Sequence, residues 1–113
     1  MKYSRKNASH FIWGDRCDGW WLLQTEKFTV IEEMLPADAC EKEHFHQETD
    51  QFFYCLEGQL TIQHNNQKSF LDAGEGLFMQ AGKSHKVINS SVSPVRFLVI
   101  SCPDAHKDRI ELE

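Results

Sequence analysis

Apolar residues in this chain occur in short runs rich in aromatic and branched side chains, each about the length of a β-strand. Clusters of Gly, Asn, Asp or Ser bound these runs, and no window of about eleven residues repeats its apolar positions with the period of a helix. The pattern predicts a mostly β chain with strands at Trp20–Leu23, Phe28–Ile31, Gln51–Leu56, Gln59–Gln63, Leu77–Met79 and Val95–Ile100.

Turn-forming residues separate the predicted strands closely. Asn65 and Asn66 tolerate the positive φ of a tight hairpin, and residues 72–76 and 80–84 break the chain twice more. Because these intervals leave no room for crossover helices, we expect an antiparallel sandwich or barrel. Residues 1–19 are interpreted as an extra strand or an arm on a partner subunit, and residues 105–109 as a surface turn or short helix.

Length and composition narrow the class of protein. The 113 residues are 41% hydrophobic and 26% charged, typical of one globular domain spanning residues 1–113. The net charge of -5, without a basic stripe, argues against nucleic acid or an anionic membrane as a partner. No secretory signal or apolar span is evident, so a cytoplasmic location is expected, with the four cysteines as free thiols.

Candidate metal ligands centre on the segment His44-Phe45-His46. In extended backbone, residues two apart lie on one face, so both imidazoles would point the same way. Gln51 on the next strand and His85 from a distant one would join them if the sheet closes on itself as a barrel. These four residues are the predicted metal site.

The spacing of these residues resembles the two motifs of the cupins, a family of small β-barrel proteins. The first motif has Gly, five residues, His-x-His, three or four residues, Glu, six residues and Gly; residues 44–58 match it from His44 to Gly58, with Gln51 at the Glu position. The second has Gly, five residues, Pro-x-Gly, two residues, His, three residues and Asn; residues 74–89 keep every interval, ending in His85 and Asn89.

This resemblance implies an all-β, antiparallel RmlC-like jelly roll, also called a double-stranded β-helix. Three positions depart from the motifs: Asp38 replaces the opening glycine, Gln80 replaces the proline, and Gln51 replaces the glutamate ligand. Asp50 is an alternative acidic ligand, but the six-residue interval to Gly58 and the alternation of side chains along a strand favour Gln51. That parity also puts Phe53 and Cys55 on the pocket side, with Phe52 and Tyr54 facing away.

A site of three neutral imidazoles and one amide suits a divalent transition metal: Fe, Mn, Co, Ni, Cu or Zn. Gln51 would bind the ion directly or hydrogen-bond a water on it. The resemblance then implies a metal-binding cupin acting on a small organic molecule, and open coordination positions favour a dioxygenase-type enzyme. The alternatives are a non-catalytic binding module for a metabolite or sugar, an isomerase, and a metal-free barrel.

Further residues carry weaker expectations. Phe53, Cys55 and Asn89 are candidates for lining the pocket, although Asn89 is also interpreted as a backbone hydrogen-bonding residue. His10, His64 and His106 are interpreted as surface or loop residues. The abundant Trp and Phe side chains predict core and interface packing, and because cupins commonly pair, a homodimer is expected.

Overall fold

The computed structural model describes residues 1–14, 16–105 and 108–112. Within these ranges the chain forms eleven strands and no α-helix. The strands are β1 (Ser9–Trp13), β2 (Cys17–Gln24), β3 (Thr29–Leu35), β4 (His44–His46), β5 (Asp50–Glu57), β6 (Gln59–His64), β7 (Gln67–Asp72), β8 (Gly76–Met79), β9 (Lys86–Ile88), β10 (Val95–Cys102) and β11 (Arg109–Glu111). No helix among the described residues is long and apolar enough to cross a membrane.

The strands pair antiparallel in three sheets. The largest has the order β1-β2-β3-β10-β5-β8, the second β7-β6-β9, and the third pairs β11 with β4. Reciprocal backbone hydrogen bonds of 3.0 and 2.9 Å between His44 and His85 connect β4 to the segment before β9. The antiparallel all-β jelly roll is thereby confirmed, but hydrogen bonding between the described strands does not close into a continuous barrel.

The core closes by side-chain packing instead. Phe53 and Phe97 of the six-stranded sheet form one buried cluster with Leu60 and Ile62 of β6 and Val87 of β9. Strands from opposite layers therefore share a single apolar interior. Contact between the faces of the sheets, as in a sandwich, brings residues from distant strands together. The sequence had predicted that the four candidate metal ligands would converge if the sheet closed on itself as a barrel.

Strand β5 shows the alternation predicted for it. Gln51, Phe53 and Cys55 are buried, whereas Phe52 is 38% exposed and Tyr54 is partly exposed. The inward set faces the core and the outward set faces solvent, as expected for a strand with one buried face. The parity that favoured Gln51 over its neighbour is therefore confirmed.

Positive backbone φ angles explain the residue types at two turns, the Asn65-Asn66 hairpin and the turn at Asp38. Asn65 and Asn66 have φ of 53° and 60° and connect β6 to β7, which confirms the predicted tight hairpin. Asp38, at the position of the opening motif glycine, has φ of 64°. Asp is among the residues that tolerate this left-handed conformation, so the turn forms without glycine.

Both ends of the chain contribute strands. Of the two interpretations for residues 1–19, the extra strand is observed, because β1 pairs with β2 from Ser9 opposite Trp21 to Trp13 opposite Cys17. The prediction of a turn or short helix over residues 105–109 is wrong for Arg109, which belongs to β11 and pairs with His46. Residues 106 and 107 of that segment lie outside the described residues.

Candidate metal centre

Three histidines meet at one end of the interior. His44 and His46 both point inward from β4, and His85 stands just before β9, where its backbone pairs with His44. The ring centroids of His44 and His85 are 4.5 Å apart, and those of His44 and His46 are 5.1 Å apart. One potential ligand atom from each of the three lies within 4.8 Å of the others, so the cluster is compact enough for one ion.

The orientation of each ring is fixed by an acceptor at Nδ1. His44 Nδ1 lies 3.0 Å from the carbonyl oxygen of Lys42, and His85 Nδ1 lies 2.9 Å from that of Lys83. His46 Nδ1 lies 3.0 Å from Oδ1 of Asp108. Because carbonyl and carboxylate oxygens accept hydrogen bonds, each Nδ1 carries the proton and donates, and each Nε2 keeps a free lone pair.

Asp108 is itself held in place. Its Oδ2 accepts hydrogen bonds from the backbone N–H of Glu48 at 2.9 Å and from the Thr49 hydroxyl at 3.1 Å. Partial burial opposes ionisation, but these hydrogen bonds and that of His46 lower the pKa of Asp108 on balance. An ionised carboxylate behind His46 orients its ring and makes Nε2 a stronger electron donor.

Burial keeps the three imidazoles neutral. Desolvation lowers the pKa of His44 to about 3 and that of His85 to about 4, and it also lowers the pKa of His46. A neutral imidazole is the form that binds a metal. The site therefore presents lone pairs rather than protons across the neutral pH range.

Gln51 lies in the same interior and is held by its amide nitrogen. Gln51 Nε2 donates to the Ser101 hydroxyl at 3.0 Å, while Gln51 Oε1 is buried and has no hydrogen-bond partner among the described residues. Thr29, Ser101 and Gln51 lie opposite one another across β3, β10 and β5, and Thr29 Oγ1 is a second buried oxygen without a partner. The alternative ligand Asp50 is exposed, and its Oδ1 accepts a hydrogen bond from the Ala81 N–H instead.

The donor set fits a first-row transition ion. In the part of the chain that the structure describes, neither His85 Nε2 nor Gln51 Oε1 has a hydrogen-bond partner, and both atoms are buried. Burying them in this way is costly unless a ligand, ion or water satisfies them. Imidazole nitrogens and an amide oxygen together are typical ligands for such ions. His44, His46 and His85 would hold the ion, with Gln51 as a fourth ligand or a partner of bound water; ligation by these residues stays a prediction.

A cavity of about 160 Å³ is lined in part by His44 and His46. Phe53, which the sequence analysis placed there, is among its lining residues, and its ring contacts that of His85 edge to face with centroids 5.8 Å apart. The rest of the lining mixes apolar and polar side chains: Phe11, Trp13, Thr29, Ile31, Glu33, Glu41, His44, His46, Gln51, Val87, Val99, Ser101, Ala105 and Arg109.

Three charged residues of this lining were not singled out from the sequence. Glu41 is almost fully enclosed: its Oε1 accepts a hydrogen bond from the Val87 N–H at 3.0 Å, and its Oε2 lies 3.4 Å from Nη1 of Arg109. Desolvation raises the pKa of Glu33 to about 8 and that of Glu41 to about 7, and Arg109 opposes both shifts. The parity of Glu33 with Ile31 along β3 was the available sequence signal.

The other two pocket candidates lie in different surroundings. Cys55 is fully buried in the apolar core, and its Sγ lies 3.5 Å from the Gly58 carbonyl oxygen. Asn89 is also fully buried, and its amide nitrogen donates to the carbonyl oxygens of Leu35, Pro36 and Ser93. Asn89 therefore fastens loops together, in line with its backbone hydrogen-bonding interpretation.

The remaining histidines and the cysteines agree with their interpretations where they are described. His10 is exposed and pairs with Asp18 at 2.7 Å, and His64 Nδ1 donates to the Ser84 carbonyl oxygen, 2.9 Å away. His106 lies outside the described residues. All four cysteines are free thiols, as expected.

Comparison with known proteins extends this picture. TcmJ, the tetracenomycin polyketide synthase protein of Streptomyces glaucescens, is 28% identical over 86 residues, which cover 76% of this chain and 57% of that protein. The chain thus spans little more than half the length of that relative.

Two solved structures share the fold. The polyketide cyclase RemF from Streptomyces resistomycificus superposes with a TM-score of 0.87 at 18% identity, covering 100% of this chain and 85% of that one. A sugar phosphate isomerase of the cupin superfamily from Silicibacter pomeroyi gives a TM-score of 0.79 at 21% identity, covering 92% and 76%.

The sequence model of the cupin domain family matches residues 30–101. That range contains the histidine pair on β4, Gln51 and His85, so the match and the geometry of the site concern the same part of the molecule. The chain therefore belongs to the cupin family.

Proposed function

We propose that this protein is a metal-dependent enzyme that acts on a small organic molecule able to chelate the ion. The observation that carries the proposal is the cluster of His44, His46 and His85, whose Nδ1 atoms are all engaged in hydrogen bonds. His44 and His46 line a cavity of about 160 Å³, and His85 Nε2 is buried without a hydrogen-bond partner among the described residues. That volume suits a few heavy atoms of a ligand rather than a macromolecule.

Bound there, a divalent ion would polarise a coordinated oxygen and leave positions open for a bidentate ligand. The four side chains proposed to hold it are uncharged, so an anionic enolate, phenolate or carboxylate is the favoured ligand. Phe53 and Ile31 offer apolar contact to the rest of such a molecule. The cavity's own residues thus favour a ligand with one oxygen-rich end and one apolar end.

The favoured chemistry is proton transfer on an enolisable ketone or phenol. Glu33 and Glu41 give the cavity two carboxyl groups with raised pKa values, and such groups are suited to acid–base work near neutral pH. TcmJ is a polyketide synthase protein and RemF a polyketide cyclase, and a substrate of polyketide type would have these oxygens. The isomerase alternative belongs to the same class of chemistry.

A dioxygenase-type reaction is the second candidate. It is favoured by the neutral three-histidine set with Gln51, which leaves coordination positions for a substrate and O2. This reaction would consume O2 and require a redox-active ion, whereas proton transfer would proceed with Zn²⁺ and without O2. A non-catalytic binding module would bind chelating molecules and change none of them.

The experiment begins with elemental analysis of the untagged protein beside His46→Ala and the surface control His10→Ala. Near-stoichiometric metal in wild type and His10→Ala, and none in His46→Ala, is the expected result. The metal-loaded protein is then offered a panel of diketones, hydroxyketones and catechols, with chelation followed by absorbance, O2 by electrode and products by mass spectrometry. No metal after reconstitution, or no chelation by any member, would overturn the proposal.

Pairing into a homodimer is also proposed for this chain. Phe52 and Phe78 lie opposite each other on β5 and β8 and are 38% and 60% exposed, an arrangement that a partner surface could cover. Light scattering at several concentrations gives the mass directly. A Phe78→Ser variant that stays dimeric would exclude this face as the contact.

A further inference from the structure

Glu33 stands out in the cavity because its carboxyl group has no fixed partner. Among the described residues, no hydrogen-bond donor contacts the Glu33 side chain, and the charges that influence it are Glu41 and Arg109. Glu41 differs, since one of its oxygens accepts from Val87 and the other faces Arg109. The Glu41 carboxyl group is therefore held in place by these contacts, whereas the Glu33 carboxyl group is available to a ligand.

The register of the sheet fixes the side on which Glu33 lies. Gly19 of β2 and Phe97 of β10 stand opposite Glu33, and Phe97 is fully buried. Side chains opposite one another across a sheet share a face, so Glu33 points into the interior with Phe97. Its neighbour Glu32 faces the other way and pairs with Arg96 at 3.0 Å.

An aromatic ring lies beside Glu33 in the wall of the cavity. Phe11 of β1 is paired with Gly19, and a Cβ at Gly19 would lie only 2.3 Å from the Phe11 ring, so the ring lies over the space that glycine leaves. Phe11 and Glu33 both line the cavity. The carboxyl group thus lies on an apolar wall, in the same small space as His44 and His46.

We propose that Glu33 is the catalytic acid–base residue of this cavity and exchanges a proton with a substrate held at the histidine cluster. This inference rests on the proposed function, because it needs a substrate at that cluster. Glu33, His44 and His46 line the same cavity of about 160 Å³, so a ligand that fills the cavity lies close to the Glu33 carboxyl group and to these two histidines. Raised pKa values of Glu33 and Glu41 are consistent with the assignment, which stands on the free carboxyl group and its placement.

The proton-transfer step balances without a further reactant. The Glu33 carboxylate takes a proton from the carbon beside a ketone; the C–H bond breaks, an O–H bond forms on Glu33, and the electron pair moves toward the carbonyl oxygen. Return of the proton to carbon or oxygen restores the carboxylate. Nothing is oxidised or reduced, so the step needs neither O2 nor a redox-active ion.

The test follows solvent exchange of 2′-hydroxyacetophenone, a chelating phenol–ketone with exchangeable methyl protons, in D2O with Zn²⁺-loaded protein. Binding is measured separately from the absorbance of the probe, and exchange from the loss of its methyl signal by NMR. Glu33→Gln should bind metal and probe as wild type does and exchange the methyl protons about 10²- to 10⁴-fold more slowly. Glu32→Gln, the same change on the opposite face of β3, where Glu32 is buried and paired with Arg5 and Arg96, is the control and should exchange at the wild-type rate.

The outcomes separate the two proposals. A wild-type protein that binds neither Zn²⁺ nor the probe overturns the proposed function, whereas bound probe with exchange in Glu33→Gln within threefold of wild type overturns the role of Glu33 alone. Bound probe without exchange in wild type also overturns that role. A second readout needs no metal: the infrared C=O band of protonated carboxyl groups near neutral pH should be weaker in Glu33→Gln than in wild type and Glu32→Gln, with the remaining band due to Glu41.

Discussion

Nδ1 of His46 lies 3.0 Å from Oδ1 of Asp108, and the two residues are 62 positions apart in the chain. Strand β11 makes this contact possible, because its pairing with β4 sets Arg109 opposite His46 and leaves Asp108 beside the ring. A carboxylate behind an imidazole fixes which nitrogen is free. Asp108 therefore fixes the orientation of the His46 ring without belonging to either cupin motif.

Replacing Asp108 tests whether this orientation matters for metal binding. We expect Asp108→Asn to weaken binding of a divalent metal about 10- to 100-fold, because an amide orients the His46 ring less strongly and lacks the negative charge of the carboxylate. Competitive titration with a chromophoric chelator measures the affinity. The surface pair His10–Asp18, with a contact of 2.7 Å, supplies the control Asp18→Asn, which should bind metal like wild type. Equal affinities in both variants would show that the His46–Asp108 contact is irrelevant to the metal.

The pH dependence of metal binding should be unusually shallow. Ordinary imidazoles take up protons below about pH 6.5, and three of them would cost up to about 10³-fold in affinity per pH unit. Because burial lowers the pKa of His44 to about 3 and that of His85 to about 4, and lowers that of His46, few protons compete here. We expect affinity to fall less than about tenfold from pH 7 to 5.5 in buffered titrations. A steep loss beginning at pH 6.5 would contradict this.

The raised pKa of Glu33 predicts that the free energy of unfolding depends on pH. Burial raises the pKa of Glu33 from its ordinary value of 4.5 to about 8, so between these values Glu33 binds more protons in the folded chain than in the unfolded chain. The contribution of Glu33 to stability therefore falls as pH rises toward 8. Glu33→Gln lacks this titration. Its stability relative to wild type should increase with pH across that window, by up to roughly 1.4 kcal/mol per pH unit.

Urea unfolding of the metal-free protein at several pH values measures this difference. Glu41, Arg109, His44 and His46 face the same cavity and are present in both proteins, so they largely cancel from the comparison. Glu26→Gln, at an exposed position between β2 and β3, controls for the loss of one acidic residue. A constant difference between Glu33→Gln and wild type from pH 5 to 8 would mean that Glu33 ionises as an exposed carboxyl does.

Thr29 and Ser101 are neighbours across two strands, and their removal should have opposite effects. Thr29 Oγ1 is buried without a partner, so Thr29→Val should leave the free energy of unfolding unchanged or raise it. Ser101→Ala instead removes the acceptor of Gln51 Nε2 and should lower it by about 1–3 kcal/mol. Urea unfolding of both metal-free variants provides the measurement. Equal losses in the two variants would show that both hydroxyls are satisfied in solution.

Gln51→Glu tests whether this side chain reaches the metal. Gln51 Oε1 is buried and unpaired, and a carboxylate there would add a negative charge beside the ion. We expect tighter binding of divalent metals and, if the reaction uses O2, loss of that activity or a changed metal preference. Chelator competition and O2 uptake measure the two effects. The same affinity and activity as wild type would show that Gln51 lies too far from the ion to bind it.

The sequence predicted the inner residues of the strands better than the edges of the fold. Runs such as Val95–Ile100 are apolar enough to identify β10, and the alternation around Phe53 identified its inward face. Strand β7 was harder to recognise, because five of its six residues are exposed and it lacks an apolar run. Strand β11 is entirely exposed and is specified by its pairing with β4 rather than by its own composition.

The residues of the candidate site likewise fall into those that the sequence predicted and those that it did not. Spacing alone led to His44, His46, Gln51 and His85, because local extended geometry and a known motif encode them. Glu33, Asp108 and Arg109 act through contacts between segments far apart in the chain, and a charged residue in a strand is usually solvated. Only the register of the sheets shows that these charges turn inward, and a single sequence does not contain that register.

The Phe11 ring packs against Gly19, so strand β1 forms part of the wall of the cavity. A shortened protein starting after Trp13 would retain all three histidines and their hydrogen-bond partners, and so its affinity for metal. It would also admit water to Glu33 and accept bulkier molecules. Trimming or exchanging this strand is therefore a way to alter which ligands fit while leaving the metal ligands untouched.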